Sequence, residues 1–506
     1  MLRVGNETIH ASSVLASGYE KRGYRPVWTD SNGLLDVAGA LRRSLERAPE
    51  HGLDPRDYHF DRILNLKLAI EHRGLNPAAD LLVDIELLLS DAFLMYASHL
   101  TGGAIDRFTI DPEWFAVSRE ADLARIFEEA ASTGRIGEVL DRLPPSDPRY
   151  ARLKAALAHY RELDRKGAPR RLPAGASLKP EARDDQVPLL RERLAMALER
   201  PFLASEGEDD AYDPPLVEAV REIQRRYGLV QDGVVGGATR EALNRDPEDL
   251  VRQLEVNLER WRWLPDDLGD RYAIVNIAAF DLEVVEAGSA SLSMRVVVGQ
   301  PYRRTPVLSS QITHVVLNPT WTVPERLVKE DILPRVRKDR GYLASMHLRV
   351  FDGWSDTARE IDPAEVDWST VTPRRYRFRQ DPGPWNALGR VKFLLPNPYD
   401  IYLHDTPQRE LFSRASRVFS SGCVRLETPL ALLDYLLAKE RRWSPQEIER
   451  TFAKGEERFV RLERPLPVHI LYWTAWVEDD ATVHFRKDIY GRDERVSRAL
   501  RERPRE

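Results

Sequence analysis

Cys423 is the single cysteine in a chain of 506 residues, and it lies in the stretch "HDTPQRELFSRASRVFSSGCVRL" that begins at His404. One sulfur cannot build a disulfide framework or a multi-cysteine metal site. A lone thiol can act as a nucleophile once its proton is removed, but at a free pKa of about 8.5 only a few per cent is ionised at neutral pH. It needs a base, and His404 is the residue on offer. The histidine ends the apolar run "IYLH", which reads as a strand, and the cysteine follows an "SSG" turn. Both side chains can therefore reach the rim of one sheet. Gly422 permits a tight backbone there, from which the Gly422 and Cys423 amides can point at a developing oxyanion. Arg425 has the fork to hold a carboxylate in a bidentate pair. The plain alternative is that Cys423 is a small buried hydrophobe. His99 on a helix and His469 in a strand read as structural.

The elements that must position these residues change character along the chain. The first third has helical periodicity: in "GLLDVAGALRRSLERAPEHGL", Leu34, Val37, Leu41 and Leu45 recur on one face. Leu81–Leu100 is the most apolar run, yet it carries Asp84, Glu86 and Asp91, which makes it a buried helix and not a membrane span. The Pro/Gly-rich stretch from Gly167 to Pro180 marks a boundary. A short helical module follows, including the acidic loop "SEGEDDAYDPP" and the turn around Gly228, Asp232, Gly233, Gly236 and Thr239. These five are read as turn-and-cap residues before ligand contacts. From Tyr272 the period becomes that of strands, in "YAIVNIAAFDLEVVEAG", "LSMRVVVGQ", "ITHVVLNPTW", "GRVKFLLPN" and "YDIYLH". Val323 to Trp385 interrupts them as a long insertion without clear strand pattern, the kind of segment that covers a site.

Composition sets the outer limits. With 42% hydrophobic and 31% charged residues the chain can build real cores under a charged surface. Its length suggests two to four domains. A net charge of −6 gives no basic field, which argues against nucleic acid as partner. "MLRVGNETIHASSV" has no apolar signal region, and no HExxH, Walker A or dinucleotide motif occurs.

His404, Ser420, Ser421, Gly422, Cys423, Val424 and Arg425 together resemble the signature of the YkuD-type L,D-transpeptidases. "LNPTWTVPERLVKEDILPRVRKD" and "GPWNALGRVKFLLPN" resemble its flanking segments in the large three-domain periplasmic subfamily. "VREIQRRYGLVQDGVVGGATREAL" is similar to a peptidoglycan-binding type 1 module, and "YEKRGYRPVW" with "HGLDPRDY" resembles the subfamily's helical scaffold. The resemblance implies an α+β multidomain chain. Its expected parts are an α-helical scaffold (14–180), a three-helix peptidoglycan-binding module (186–247) and a connecting helix packed on the scaffold (248–268). A β-rich catalytic domain (270–490) with a capping insertion (323–385) completes it.

By the same resemblance, Cys423 attacks the peptide bond between meso-diaminopimelate and the terminal D-alanine of a tetrapeptide stem. His404 acts as base, and a second stem's amine opens the thioester to give a 3→3 cross-link. Water as acceptor would make it an L,D-carboxypeptidase. A cysteine peptidase of wall peptides and a non-catalytic wall-binding scaffold stand as alternatives. Ser420, Arg425, Tyr402, Trp321 and Asn318 are the candidate substrate-binding residues, Tyr402 because it shares a strand face with His404. Many members carry a second histidine where this chain has Ser421, so the group orienting His404 is left open between main-chain carbonyls near Asp405 and Ser421. The Asp405 side chain is read as solvent-facing. No metal or cofactor is required. The expected partners are donor and acceptor stems and other wall-synthesis proteins, the expected site is the periplasm, and carbapenems are the expected inhibitors. Since no export signal is visible, Met1 is read as an internal or trimmed start.

Overall fold

The computed structural model describes residues 2–72, 78–116, 119, 121–167, 170–204, 207–355, 357–438, 440 and 443–502. Ala168 and Pro169 of the expected boundary, Ser205 and Glu206 of the acidic loop, Asp356 of the insertion and Lys439 lie outside them. The chain divides into two compact units. One runs to Asp267 and takes up the residues from Trp473 onward; the other is Leu268–Tyr472.

The first unit is built on the expected apolar helix, Ala79–Gly102, which buries Ile85, Leu88, Leu89, Phe93, Ala97 and Leu100. Its buried acids are satisfied, as burial demands. Glu86 accepts from Val27 N (2.5 Å), Trp28 N (3.0 Å) and Thr29 Oγ1 (2.9 Å). Asp91 accepts from Ala11 N (2.7 Å) and His59 Nε2 (2.9 Å). No helix among the described residues is long and apolar enough to cross a membrane. In the small helical module, Gln224 ties the turn together: Nε2 donates to Asp232 Oδ1 (2.8 Å) and Thr239 Oγ1 (3.1 Å), and Oε1 accepts from Gly233 N (2.9 Å).

Trp473–Tyr490, expected with the catalytic domain, packs with the helices. Trp473 stacks on Trp261 of the helix Pro247–Arg262 at 4.6 Å. Asn257 and Thr474 exchange hydrogen bonds of 2.9 and 3.0 Å, and buried Arg260 pairs with Asp493 at 2.6 Å. Those buried polar groups would be stranded without each other.

The second unit is a closed barrel. Its strands are β1 (Arg271–Asn276), β2 (Asp281–Glu286), β3 (Ser289–Gly299), β4 (Val307–Leu317), β5 (Val391–Leu394), β6 (Tyr402–His404), β7 (Val418–Ser420), β8 (Val424–Leu426) and β9 (Arg458–Leu471). Eight of them close in the order β5-β6-β8-β3-β2-β1-β9-β4, with β4 pairing back to β5, and β7 adds to β3. Apolar alternation decides the faces. Val391, Phe393, Leu403, Val424 and Leu426 are fully buried, which turns Lys392, Tyr402, His404 and Arg425 to the opposite face.

The insertion is more ordered than its sequence suggests. It forms a four-stranded antiparallel sheet of Trp321–Thr322, Arg377–Gln380, Arg349–Phe351 and Glu360–Ile361. A core of its own, including Val336, Leu343, Trp368 and Phe378, lies beneath it. Strands of two to four residues are too short to display a period.

Candidate active site

β6 and β8 are the two strands that carry the chemistry. They pair in parallel, Leu403 against Val424 and His404 against Arg425. Extending that register by one residue sets Tyr402 opposite Cys423. Tyr402, His404, Arg425 and the sulfur therefore share one face, with His404 and Cys423 on the diagonal.

The loop that delivers the cysteine is tightly held. Gly422 has φ +123°, a conformation that side chains avoid. Its carbonyl accepts from Thr305 Oγ1 (2.8 Å). Ser420 Oγ donates to Cys423 O at 2.5 Å and accepts from Gly422 N at 3.1 Å. The Gly422 amide is thus committed inside the loop, which removes it from the expected pair of oxyanion donors. Ser421 is exposed and turned away from His404, its hydroxyl accepting from Arg303 Nη1 at 3.0 Å.

His404 is buried. Its Nδ1–H donates to the main-chain oxygen of Asp405 at 2.5 Å, so of the two carbonyls considered from the sequence it is the one at Asp405 that orients the ring. Burial, then the nearby charges of Arg425 and Lys392, pull its pKa down to about 3 against the opposing pull of that carbonyl. The imidazole is neutral at physiological pH. Asp405 is buried and not solvent-facing: it accepts from Arg390 N and Thr406 N at 2.7 Å each and pairs with Arg409.

Cys423 is half-buried, and its Sγ donates to Asp400 O at 3.7 Å. Burial pushes the thiol up, while the Tyr402 main-chain N–H and hydroxyl, Lys392 and Arg425 pull it down without overcoming that. The resting site holds a thiol and a neutral imidazole on one face of the sheet. The Tyr402 hydroxyl lies against the sulfur and bonds to Trp321, and burial holds its proton on.

The structure brings together Cys423, His404, Tyr402, Arg425 and Trp321. It does not bring Asn318 with them. That side chain is buried and donates to Thr451 O (2.9 Å) and Glu456 O (3.2 Å), tying β4 to the end of the helix Pro445–Lys454. Arg425 donates to Gln408, and burial lowers its pKa.

Sequence reasoning missed three contributors. Arg303 is buried, and besides reaching Ser421 it pairs with Asp331 (2.6 Å) and Glu330 (2.9 Å) of the insertion. Thr305 carries the Cys423 loop. Lys392, opposite His404 in the β5–β6 pairing, sets its Nζ 3.9 Å from the Tyr402 ring centroid. A lone lysine in "RVKFLL" is its only signal, and the sequence does not fix the register that sets it opposite His404.

Comparison with known proteins matches three stretches of the chain to known families. Residues 270–452 match the YkuD "L,D-transpeptidase catalytic domain", residues 13–157 a "Scaffold domain", and residues 183–243 a "Putative peptidoglycan binding domain". The chain therefore carries a helical scaffold, a peptidoglycan-binding module and a catalytic domain of the YkuD L,D-transpeptidase family. A "Putative L,D-transpeptidase" of Haemophilus influenzae is 37% identical over 252 residues. That match covers 50% of each protein, so the chain spans about half the length of this curated relative. Among solved structures, an L,D-transpeptidase from Stackebrandtia nassauensis has a TM-score of 0.22 and 12% identity, covering 58% of this chain and 97% of that one. Another, from Mycobacterium smegmatis, has a TM-score of 0.19 and 12% identity, covering 40% and 58%. Similarity at these scores carries no weight for this chain.

Proposed function

We propose that this protein is a peptidoglycan L,D-transpeptidase acting through a cysteine thioester. The supporting observation is a neutral imidazole, fixed through Nδ1, on the same sheet face as a half-buried thiol. In the first half-reaction Cys423 Sγ bonds to the carbonyl carbon between meso-diaminopimelate and D-alanine, and His404 Nε2 takes the thiol proton. The carbon–nitrogen bond then breaks, the proton passes to the leaving amine, and D-alanine departs. In the second half-reaction the side-chain amine of another stem attacks the thioester. The carbon–sulfur bond breaks, a 3→3 amide forms, and the amine's proton returns through His404 to the sulfur.

The amide of Cys423 faces the oxyanion, with Gly422 contributing the sharp turn instead of a donor. Trp321 and Tyr402 line the donor side, and Arg425 draws a substrate carboxylate. Because the substrate is wall peptide, the place of action is the periplasm, with the helical module holding the enzyme on peptidoglycan. Water as acceptor would give tripeptides in place of dimers.

Incubation with tetrapeptide muropeptides tests the proposal: cross-linked dimers are expected, and tripeptides alone would make the protein a carboxypeptidase. Intact-mass analysis with a carbapenem should give one adduct that Cys423→Ala abolishes. No adduct on the wild-type chain would favour a non-catalytic scaffold.

A further inference from the structure

We infer that Lys392 is the counter-charge for the Cys423 sulfur anion, a role that rests on the reading of Cys423 as nucleophile. In many thiol–imidazole pairs the positive charge beside a thiolate is the imidazolium itself. Here the site is built differently, because His404 is buried next to two cations and has no carboxylate behind its Nδ1. While the imidazole is neutral, something else must meet the negative charge as sulfur ionises.

Three observations single out Lys392. It lies on the same face as His404, its partner in the β5–β6 pairing, where Val391 and Phe393 turn inward. Its ammonium sits 3.9 Å from the centroid of the Tyr402 ring, whose hydroxyl touches the sulfur. A cation on that face makes the phenol a stronger donor toward an anion, so the charge acts on Sγ both through space and through Tyr402. Among the described residues, Lys392 also has no ion pair and no hydrogen bond. A half-buried ammonium left without an anion is unfavourable, and an ionised Cys423 would relieve it.

The other charged groups facing the site do not replace it. Arg425 shares the face but is engaged by Gln408 and faces Glu410. Asp400 and Glu457 act on the Lys392 charge without forming an ion pair with it, and Asp400 meets the thiol through its main-chain oxygen. Tyr402 stays protonated and His404 neutral.

The test measures iodoacetamide alkylation of Cys423 against pH in the full chain, comparing wild type with Lys392→Met, Lys392→Gln and Lys392→Arg. With near-ultraviolet circular dichroism verifying the fold, the two neutral variants should raise the ionisation midpoint by about one unit and slow alkylation about tenfold at neutral pH. Lys392→Arg should stay within about threefold of wild type, because charge and not shape is at work. A midpoint that does not rise in a folded neutral variant overturns the inference. So does an arginine variant shifted as far as the neutral ones. Carbapenem adduct formation on the wild type is read alongside: its absence would count against the transpeptidase reading and leave the alkylation comparison intact.

Discussion

His404 donates its Nδ1–H to the main-chain oxygen of Asp405 at 2.5 Å, and this one bond fixes the tautomer that chemistry needs. With Nδ1 occupied, Nε2 carries the lone pair. Replacing the ring by an amide of similar size, His404→Gln, should lower acylation of Cys423 by a factor of about 10²–10⁴, the usual range for a lost general base. Circular dichroism should be unchanged. A folded His404→Gln that acylates at the wild-type rate would show that some other group takes the thiol proton.

The resting protonation states give a pH profile of unusual shape. His404 takes up a proton only near about pH 3, and the thiol is pushed above its ordinary value. Thiol and neutral imidazole are therefore both present across the physiological range. The kcat/KM for acylation should stay flat from about pH 5 to about pH 8, without the step near 6.5 of an ordinary histidine. The stability linkage has the same sign. The unfolded chain binds this proton first, so the stability contributed by a neutral His404 is complete above about pH 6.5 and is lost as pH falls toward 3. A kinetic step between pH 6 and 7 that disappears in His404→Gln would refute the neutral-imidazole account.

What the sequence revealed and what it hid divide along physical lines. Cys423, His404 and Gly422 were legible because their spacing is local and their chemistry rare. The face of Tyr402 followed from a two-residue period. Lys392 was hidden because the register of the β5–β6 pairing, which no motif in the sequence specifies, sets it opposite His404. Asn318 was misread as groove wall for a related reason: its partners, Thr451 and Glu456, lie far along the chain. Trp473 and Thr474 continue a strand-rich stretch, and it is the stacking of Trp473 on Trp261 and the buried hydrogen bonds between Thr474 and Asn257 that assign them to the helices.

Gly389 packs against Asp405, whose main-chain oxygen holds His404. Its φ is +59°, and a Cβ there would lie 2.3 Å from Asp405 Cγ. Gly389→Ala should cost about 1–3 kcal/mol from backbone strain, plus displacement of Asp405 and the carbonyl that holds His404. Both Tm and acylation rate should fall. A Tm within about 1 °C of wild type would mean that the loop absorbs the methyl group without strain.

Ser420 closes the turn by donating to Cys423 O and accepting from Gly422 N. In Ser420→Ala the amide and the carbonyl each lose a partner, a loss of about 1–3 kcal/mol. The Gly422 amide is also freed. If the Gly422 amide only closes the turn and has no part in the oxyanion hole, acylation should fall through loss of loop order, with no gain from the freed donor. Hydrogen exchange at Gly422 should speed up in parallel. Faster acylation in Ser420→Ala would restore Gly422 as an oxyanion donor.

Arg303 joins the catalytic loop to the insertion, reaching Ser421 with one nitrogen while pairing with Asp331 and Glu330. The guanidinium is buried, while Glu330 and Asp331 are part-exposed and Glu330 keeps Arg326, so removing Arg303 chiefly unties the loop from the insertion. Arg303→Met keeps much of the apolar volume and removes the charge. If the insertion closes over the donor peptide, loosening it should leave alkylation of Cys423 by a small reagent within about twofold of wild type. Muropeptide KM should rise about tenfold, since positioning of a large substrate is lost while thiol reactivity is kept. Exchange at 325–345 should quicken in the same variant. Faster exchange with an unchanged muropeptide KM would separate the insertion from substrate binding and leave Arg303 a structural role.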